Sequence, residues 1–283
     1  MADPTAHFAA FSFVDRITAF APGKGAHGVF HVPAAVADFP ACLVAEAVGQ
    51  LAAWVSMEHI GYRGRPVAAL AGETRFFGAV TPGDLLELTV EIDDVDDDAV
   101  SYHGWADVAG RRVIELNHCL GPMLPVAEFD APEALRERFA VLRGAGATPD
   151  RFHGVAAPDA AIVEHVPGVS VRANLDVPMS AAFFADHFPR RPVFPATLLL
   201  NAQIALATRI AREANAARHA IDPAPVRMTH VKMRAFIVPG QQVDVRAEFA
   251  GVQDATTRIS LSAHDGDGKT IATARVEFAA AAG

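Results

Sequence analysis

Two long apolar segments of the chain each have a proline near their start and lack the alternation of polar and apolar residues that is typical of a strand. They start at Phe39-Pro40-Ala41 and at Phe194-Pro195-Ala196. Helix-forming residues continue for about five turns in each case, and proline is favoured where a helix begins. We therefore predict a helix at both places. Because each is apolar almost all round, we expect both helices to be buried.

Shorter segments with alternating polar and apolar positions flank both predicted helices and indicate strands. Two such segments precede each helix and four follow it, separated by turn signals such as Pro82-Gly83 and Ala109-Gly110. The predicted strands after the helices cover roughly residues 66–78, 84–92, 99–109 and 111–122, and then 225–237, 241–250, 255–264 and 269–279.

The same order of elements occurs twice at a nearly constant spacing. Pro40 and Pro195 are 155 residues apart, and Pro82 and Pro239, each followed by glycine, are 157 apart. The repeat predicts an α+β fold with two units, each a long central helix wrapped by an antiparallel sheet.

The predicted units cover residues 1–127 and 151–283. Between them, residues 128–150 begin with EFDAPEALRERFAVLR and predict a linking helix followed by a loop, with Asp130 as the N-cap.

Composition narrows the class of protein. The chain has 283 residues, of which 51% are hydrophobic, enough for two cores. Its net charge is -9 and it has no run of basic residues, which argues against a nucleic-acid partner. The start lacks a signal-peptide pattern, and no uncharged stretch reaches the roughly 18 residues of a membrane span. With only two cysteines, Cys42 and Cys119, both in apolar runs, we expect a cytoplasmic protein.

The segment from Met179 to Gln203, MSAAFFADHFPRRPVFPATLLLNAQ, resembles the active-site signature of the 3-hydroxyacyl-[acyl-carrier-protein] dehydratases. That signature runs His-Phe-Pro-Gly, Pro, Pro-Gly, and ends in an acid on the helix followed four residues later by Gln. The first half resembles other parts of the family pattern at residues 13–17 (FVDRI), at 22–24 (PGK) and at Glu46 with Gln50. The resemblance implies a double hotdog fold, in which two paired units form the active site.

The departures from the family pattern are complementary. Asn201 stands where the second helix should carry the acid, and Val32 stands where the first half should carry the histidine. In the family, one unit supplies the histidine and the other the acid. His187 and Glu46 would therefore build one complete site, while the mirror site would lack both groups. Polyketide synthase dehydratases resemble this double arrangement but carry the histidine in the first unit.

The resemblance implies a role for each site residue. His187 would take the proton from C2 of the substrate, and Glu46 would donate a proton to the leaving hydroxyl. Gln50, one turn after Glu46, would orient either that carboxyl or the leaving hydroxyl. The backbone N–H groups of Ala196 and Thr197 would stabilise charge on the thioester oxygen. The reaction needs neither a metal nor an organic cofactor.

Arg190 and Arg191 follow the His-Phe-Pro motif directly, and relatives have glycine at the first of these positions. We expect this positive pair to dock an acidic acyl carrier protein, with coenzyme A as the alternative carrier of the substrate. The alternative for the arginines is pairing with acids of the same chain, such as Asp186. The chain would be an internal pseudo-dimer, and a further homodimer is left open.

These features predict a dehydratase that converts a 3-hydroxyacyl thioester to the trans-2-enoyl thioester in fatty acid or polyketide-type biosynthesis. A hotdog thioesterase is one alternative, since it would use the acid to activate water and would not need His187. A binding subunit for acyl chains or carrier protein, inactive as an enzyme, is the other.

Overall fold

A computed structural model describes residues 7–156, 158–215 and 222–280. The two predicted central helices are confirmed as α1 (Ala41–His59) and α3 (Ala196–Asn215), and the linking helix is α2 (Pro132–Arg143). The prolines that open the apolar segments stand immediately before α1 and α3. The carbonyl of Pro40 accepts a hydrogen bond from the Leu43 N–H (2.8 Å), and the carbonyl of Pro195 accepts one from the Leu198 N–H (3.1 Å).

Thirteen strands occur in the described part of the chain. In the first half they are β1 (Arg16–Ala21), β2 (Gly25–His31), β3 (Gly64–Pro66), β4 (Leu70–Phe76), β5 (Leu85–Val95), β6 (Ala99–Val108) and β7 (Arg111–Pro125). In the second half they are β8 (Ala160–Val166), β9 (Ser170–Asp176), β10 (Pro223–Met233), β11 (Gln242–Gln253), β12 (Thr256–His264) and β13 (Thr270–Ala280).

The strands form one antiparallel sheet whose order has two equivalent halves. The order is β1-β2-β5-β6-β7-β4-β10-β13-β12-β11-β9-β8, with β3 paired to β7 off this path. In both halves the two strands before the helix lie at the outer edge, and the first long strand after it lies at the centre. Helix α1 packs on β5, β2 and β6, and α3 packs on β11, β10 and β12. This is the predicted double hotdog.

The two halves join where β4 pairs with β10. The register runs from Arg75 opposite Arg227 to Leu70 opposite Lys232. On the sheet, Glu73 forms ion pairs with Arg227 across the junction and with Arg75 on its own strand. Met228 and Val231 of β10 are buried. One continuous sheet therefore crosses from the first half to the second.

The predicted limits of the units, at residues 127 and 151, stay a prediction. Parts of the predicted units lie outside the described residues: 1–6 in the first unit, and 157, 216–221 and 281–283 in the second.

One predicted strand, residues 66–78, is divided in two. Both β3 and β4 pair with β7, but Pro66 lies opposite Met123 while Leu70 lies opposite Leu120. The segment 67–69 between them therefore has one residue more than the facing strand, as in a bulge. These extra residues line the cavity described below.

The sequence predicted Asp130 as the N-cap of α2, and this prediction is wrong. The helix starts at Pro132, its N-cap is Ala131, and no side chain caps it. Proline holds the residue before it in an extended conformation, so Asp130 lies too early to reach the first helical turn. Its carboxylate accepts the Ala131 N–H (2.8 Å) and lies 3.7 Å from Arg65 Nη1.

Separating the halves should expose the edges of β4 and β10 together with the apolar side chains of the junction. We expect residues 1–143 and residues 151–283, expressed separately, to self-associate or precipitate. Expressed together, they should form a soluble 1:1 complex close to the 29.9 kDa mass of the chain. Size-exclusion chromatography with light scattering distinguishes these results. A fragment that is monomeric and unfolds cooperatively alone would contradict the account of the junction.

Candidate active site

A cavity of about 230 Å³ lies between the two halves of the molecule. Its walls come from α1, the break between β3 and β4, strand β10, the loop before α3 and the first turn of α3. The structure brings most of the predicted site residues together here: His187, Glu46, Gln50, Ala196 and Thr197 line the cavity.

Glu46 projects from α1 and forms a hydrogen bond to the other half of the chain. Its Oε2 accepts a hydrogen bond from Thr197 Oγ1 at 2.8 Å, and its Oε1 accepts one from Gln50 Nε2 at 3.1 Å. Because Thr197 belongs to α3, this bond connects the acid of the first half to the helix that follows the His187 loop. The sequence pointed to the backbone N–H of Thr197 and missed the role of its hydroxyl.

Gln50 lies one turn after Glu46 on α1 and is held by backbone groups on its other side. Its Nε2 also donates to the Phe11 carbonyl (2.9 Å), and its Oε1 accepts the Phe13 N–H (2.8 Å). With both ends of the amide engaged, Gln50 holds Glu46 in one orientation.

His187 has a fixed tautomer in this structure. Its Nδ1 lies 2.8 Å from the Val193 carbonyl, which can only accept, so Nδ1 carries the proton. Nε2 is then the atom free to take a proton. Burial lowers the pKa of His187; the nearby Glu46 and the bond to Val193 act in the opposite direction, and Arg65 lowers it further. The neutral form is therefore favoured near neutral pH.

The first N–H groups of α3 are available to a ligand. The N–H groups of Leu198 and Leu199 bond to the Pro195 carbonyl, whereas those of Ala196 and Thr197 have no acceptor among the described residues. Free N–H groups at a helix start carry partial positive charge. They lie on the same cavity as His187 and Glu46.

The His187 loop is anchored on one side to the first half of the chain and on the other to the linking segment. Before it, Asp186 is buried and accepts hydrogen bonds from the N–H groups of Phe8 and Phe11. After it, the Arg190 N–H donates to the Phe129 carbonyl (3.0 Å). The position of the histidine thus depends on contacts with the first half and with the linking segment.

Arg65 is a cavity residue that sequence reasoning missed. Its guanidinium carbon lies 4.3 Å from the centre of the Phe188 ring, next to His187, and the side chain also pairs with Asp130. A single arginine in the middle of a three-residue strand gives no sequence signal of this position. Its charge reaches His187 only because the two halves are folded together.

The mirror position contains no comparable group. Val32 is buried in the core, and Asn201 lies on α3. Neither lines the cavity.

Arg190 and Arg191 lie outside the cavity and are exposed. The predicted alternative, pairing with acids of the same chain, holds for Arg191, but its partner is Glu128. Asp186, the acid named as an example, is instead buried against backbone N–H groups. Arg190 Nη1 donates to the Ala127 carbonyl (3.0 Å), and Arg191 Nη1 pairs with Glu128 Oε2 (2.7 Å). Arg191 also lies 5.0 Å from the ring of Phe236, a cavity residue, and so stands near the cavity edge.

Within residues 7–156, 158–215 and 222–280, the side chains of His, Cys, Asp and Glu form no group of three or more that could hold a metal ion. No helix in the same ranges has the length and apolar character to cross a membrane.

Solved structures with a similar fold include two classes of enzyme. The dehydratase domain of PpsC from Mycobacterium tuberculosis, in complex with C12:1-CoA, aligns with a TM-score of 0.56 and 16% identity over 96% of this chain and 100% of that chain. An acyl-ACP thioesterase from Bacteroides thetaiotaomicron aligns with a TM-score of 0.55 and 8% identity over 90% and 98%. At these identities the similarity shows the fold alone.

The matching family models and the similar curated proteins are dehydratases or dehydratase-like domains. The FabA-like domain model matches residues 29–117, and the ApeI dehydratase model of the ApeI-like family matches residues 164–275. The 3-hydroxyacyl-[acyl-carrier-protein] dehydratase FabZ of Yersinia enterocolitica is 30% identical over 117 residues, which are 40% of this chain and 67% of the relative. FabZ of Yersinia pestis has the same identity over 64% of its length. The chain belongs to the hotdog-fold family of 3-hydroxyacyl-[acyl-carrier-protein] dehydratases.

Proposed function

We propose that the protein dehydrates a 3-hydroxyacyl thioester to the trans-2-enoyl thioester at one site composed from both halves. The observation that carries the proposal is that His187 of the second half and Glu46 of the first line the same cavity, with the Thr197 hydroxyl connecting the halves beside them. Neither half alone contains both groups.

In the proposed reaction, His187 acts as the base and Glu46 as the acid. Nε2 of His187 takes a proton from C2, and the electron pair of that C–H bond forms the C2–C3 double bond. The C3–O bond breaks, and a proton from Glu46 leaves with the hydroxyl as water.

The start of α3 would stabilise the thioester oxygen as charge develops on it. The Ala196 and Thr197 N–H groups are aligned with the helix dipole, and such preorganised donors are worth most in a site that excludes water. The methyl group of Ala196, where relatives have glycine, narrows the approach to these donors.

The thioesterase alternative predicts a different product. It would release a free thiol and would not need the fixed tautomer of His187. The inactive binding subunit predicts no product at all. Acyl carrier protein and coenzyme A are both proposed as carriers of the thioester, in fatty acid or polyketide-type biosynthesis.

Removing either proposed catalytic group should nearly abolish turnover. We expect His187→Ala and Glu46→Gln each to lower kcat for a 3-hydroxyacyl pantetheine thioester by at least about a hundredfold, the usual scale for loss of a general acid or base. Asn201→Ala, at the mirror position, is the matched control and should retain kcat. Enoyl-thioester absorbance measures the reaction, and a thiol reagent detects hydrolysis.

The assignment would fail if Asn201→Ala abolished activity while Glu46→Gln spared it. Thiol release that is insensitive to His187→Ala would instead establish the thioesterase.

The pH dependence should report the environment of His187. The base must be neutral, so kcat/KM should rise through the pKa of His187, below the ordinary value of about 6.5 because burial lowers that pKa. Arg65→Met removes a positive charge that disfavours the imidazolium, so the acid limb should move to higher pH. Arg65→Lys keeps the charge and should move it less. Profiles from about pH 5 to 8 test this, and a shift of Arg65→Met to lower pH would refute it.

We also propose that Arg190 and Arg191 dock the carrier protein. Both are exposed, and Arg191 stands near the cavity edge, in a chain of net charge -9 whose overall field would repel an acidic partner. Arg191 already pairs with Glu128, but an exposed pair of this kind is weak and can exchange partners.

Reversing both charges, Arg190→Glu with Arg191→Glu, should raise KM for substrate on acyl carrier protein and weaken its salt dependence. KM for a small pantetheine thioester should change much less. Lys24→Glu with Arg111→Glu makes the same change in net charge at two other exposed residues, one in a turn and one at the start of β7, and serves as the control. An equal rise in KM for both substrates would show that the arginines stabilise the His187 loop and do not bind the carrier protein.

A further inference from the structure

Arg138 occupies an unusual position on the linking helix α2. The buried residues of this helix are Leu135, Arg138 and Leu142, spaced so that they share one face. All three line the cavity. The sequence carried this signal, a charged residue in the middle of an otherwise apolar helix face.

The guanidinium of Arg138 is buried, and no acid among the described residues pairs with it at close range. The residue is 8% exposed. Among the described residues it donates one long hydrogen bond, from Nη2 to the Phe8 carbonyl (3.4 Å), and has no carboxylate oxygen within 4.0 Å. Its carbon lies 5.2 Å from the Phe8 ring centre. A guanidinium has five N–H donors, so most remain unused.

The nearest acids are engaged elsewhere. Asp186 accepts the N–H groups of Phe8 and Phe11 and the Ser12 hydroxyl, and Asp15 accepts the His31 N–H (2.7 Å). Burial lowers the pKa of Arg138, and Arg151 acts in the same direction, while Asp186 and Asp15 oppose them. Arginine nevertheless stays charged in proteins.

Burying a charge without a close partner is expensive, whereas an apolar residue between Leu135 and Leu142 would avoid that desolvation cost. Retaining a guanidinium there requires a compensating interaction. The Arg138 side chain adjoins the cavity, so the compensating anion can arrive with the ligand.

We propose that Arg138 binds an anionic group, a carboxylate or a phosphate, that the acyl thioester carries into the cavity. This proposal depends on the proposed function in one respect, namely that the ligand is an acyl thioester. The anion has two possible sources on such a molecule. One is a carboxylate at the far end of the acyl chain, and the other is the phosphate of the phosphopantetheine arm.

The surroundings of Arg138 resemble a wall of an acyl channel. Phe8 and Trp54, whose ring centres are 6.4 Å apart, line the cavity on the same side as Leu135 and Leu142. Apolar side chains would hold the methylene groups of a chain, and the guanidinium would select for a charged group on it.

A structural role for Arg138 is the competing explanation. The residue also borders a recess of about 10 Å³, with Asp15 and Asp150 in its wall. One water there could bridge the guanidinium to a carboxylate. In that case its loss would affect the fold and every ligand alike.

The test compares three ligands with the same 3-hydroxyacyl core. One is a thioester of N-acetylcysteamine without an anion, one is the same thioester with a terminal carboxylate on the acyl chain, and one is the thioester of 4′-phosphopantetheine. KM is measured for each with the wild type, with Arg138→Met and with Arg138→Lys. Arg136→Met, at an exposed arginine of the same helix, is the matched control.

Arg138→Met should raise KM for one anionic ligand by at least about tenfold relative to the neutral ligand, the scale of a charge-assisted hydrogen bond. Arg138→Lys should recover part of the loss, and Arg136→Met should leave the ratio unchanged. The affected ligand identifies the source of the anion. The proposal would be overturned if Arg138→Met left the ratio of KM values for anionic and neutral ligands unchanged, including the case in which KM rises equally for all three ligands.

Binding of the corresponding amide analogues, measured by calorimetry, separates this proposal from the dehydratase assignment. Binding of the amides is measured without any reaction. If the wild type prefers the anionic amides and Arg138→Met loses that preference, the anion site is supported even when no dehydration occurs. In the opposite case, dehydration is observed while the ratio of affinities for anionic and neutral amides is the same in the wild type and in Arg138→Met. That result would refute the anion site and leave the dehydratase assignment intact.

Discussion

The pairing of β4 with β10 is the constraint on which the site depends. It joins the seven strands of the first half and the six of the second into one sheet and sets α1 beside α3. The Thr197 hydroxyl can then reach Glu46, and the loop carrying His187 can rest on the first half through Asp186 and on the linking segment through the backbone of Arg190. The catalytic groups are about 140 residues apart in sequence, so no local structure could hold them together without this junction.

Fusion of the two units also explains why the structure is asymmetric. In a homodimer, every substitution appears at both equivalent sites. In a single chain each half can change alone, and here Val32 is a buried core residue while Asn201 occupies the position on α3 that corresponds to Glu46 on α1. The linking segment occurs once, so it can serve only one site. It brings Asp130 to Arg65 and Arg138 to the cavity wall.

Much of the fold was readable from local patterns. The two buried helices follow from a proline and a long apolar segment, and the strands after them were predicted to within a few residues because turns and alternation are local properties. The division of residues 66–78 was not predicted, since a bulge depends on the facing strand β7. The N-cap assigned to Asp130 failed because Pro132 sets the first helical turn.

The candidate site was readable only in part, for a similar reason. Glu46 with Gln50 and the His187 loop each lie within a short motif, so the sequence pointed to them, and the structure places them on one cavity. Arg65 beside Phe188, and the Thr197 hydroxyl on Glu46, are contacts between the halves and leave no local signal. Arg138 did leave one, as the charged residue on the buried face of an amphipathic helix.

The central claim is that the chain holds one composite site rather than two. Calorimetric titration with an unreactive acyl-pantetheine amide counts the sites directly. The account predicts one molecule bound per chain, with no second site at the mirror position of Val32 and Asn201. Two equivalent molecules bound per chain would contradict it.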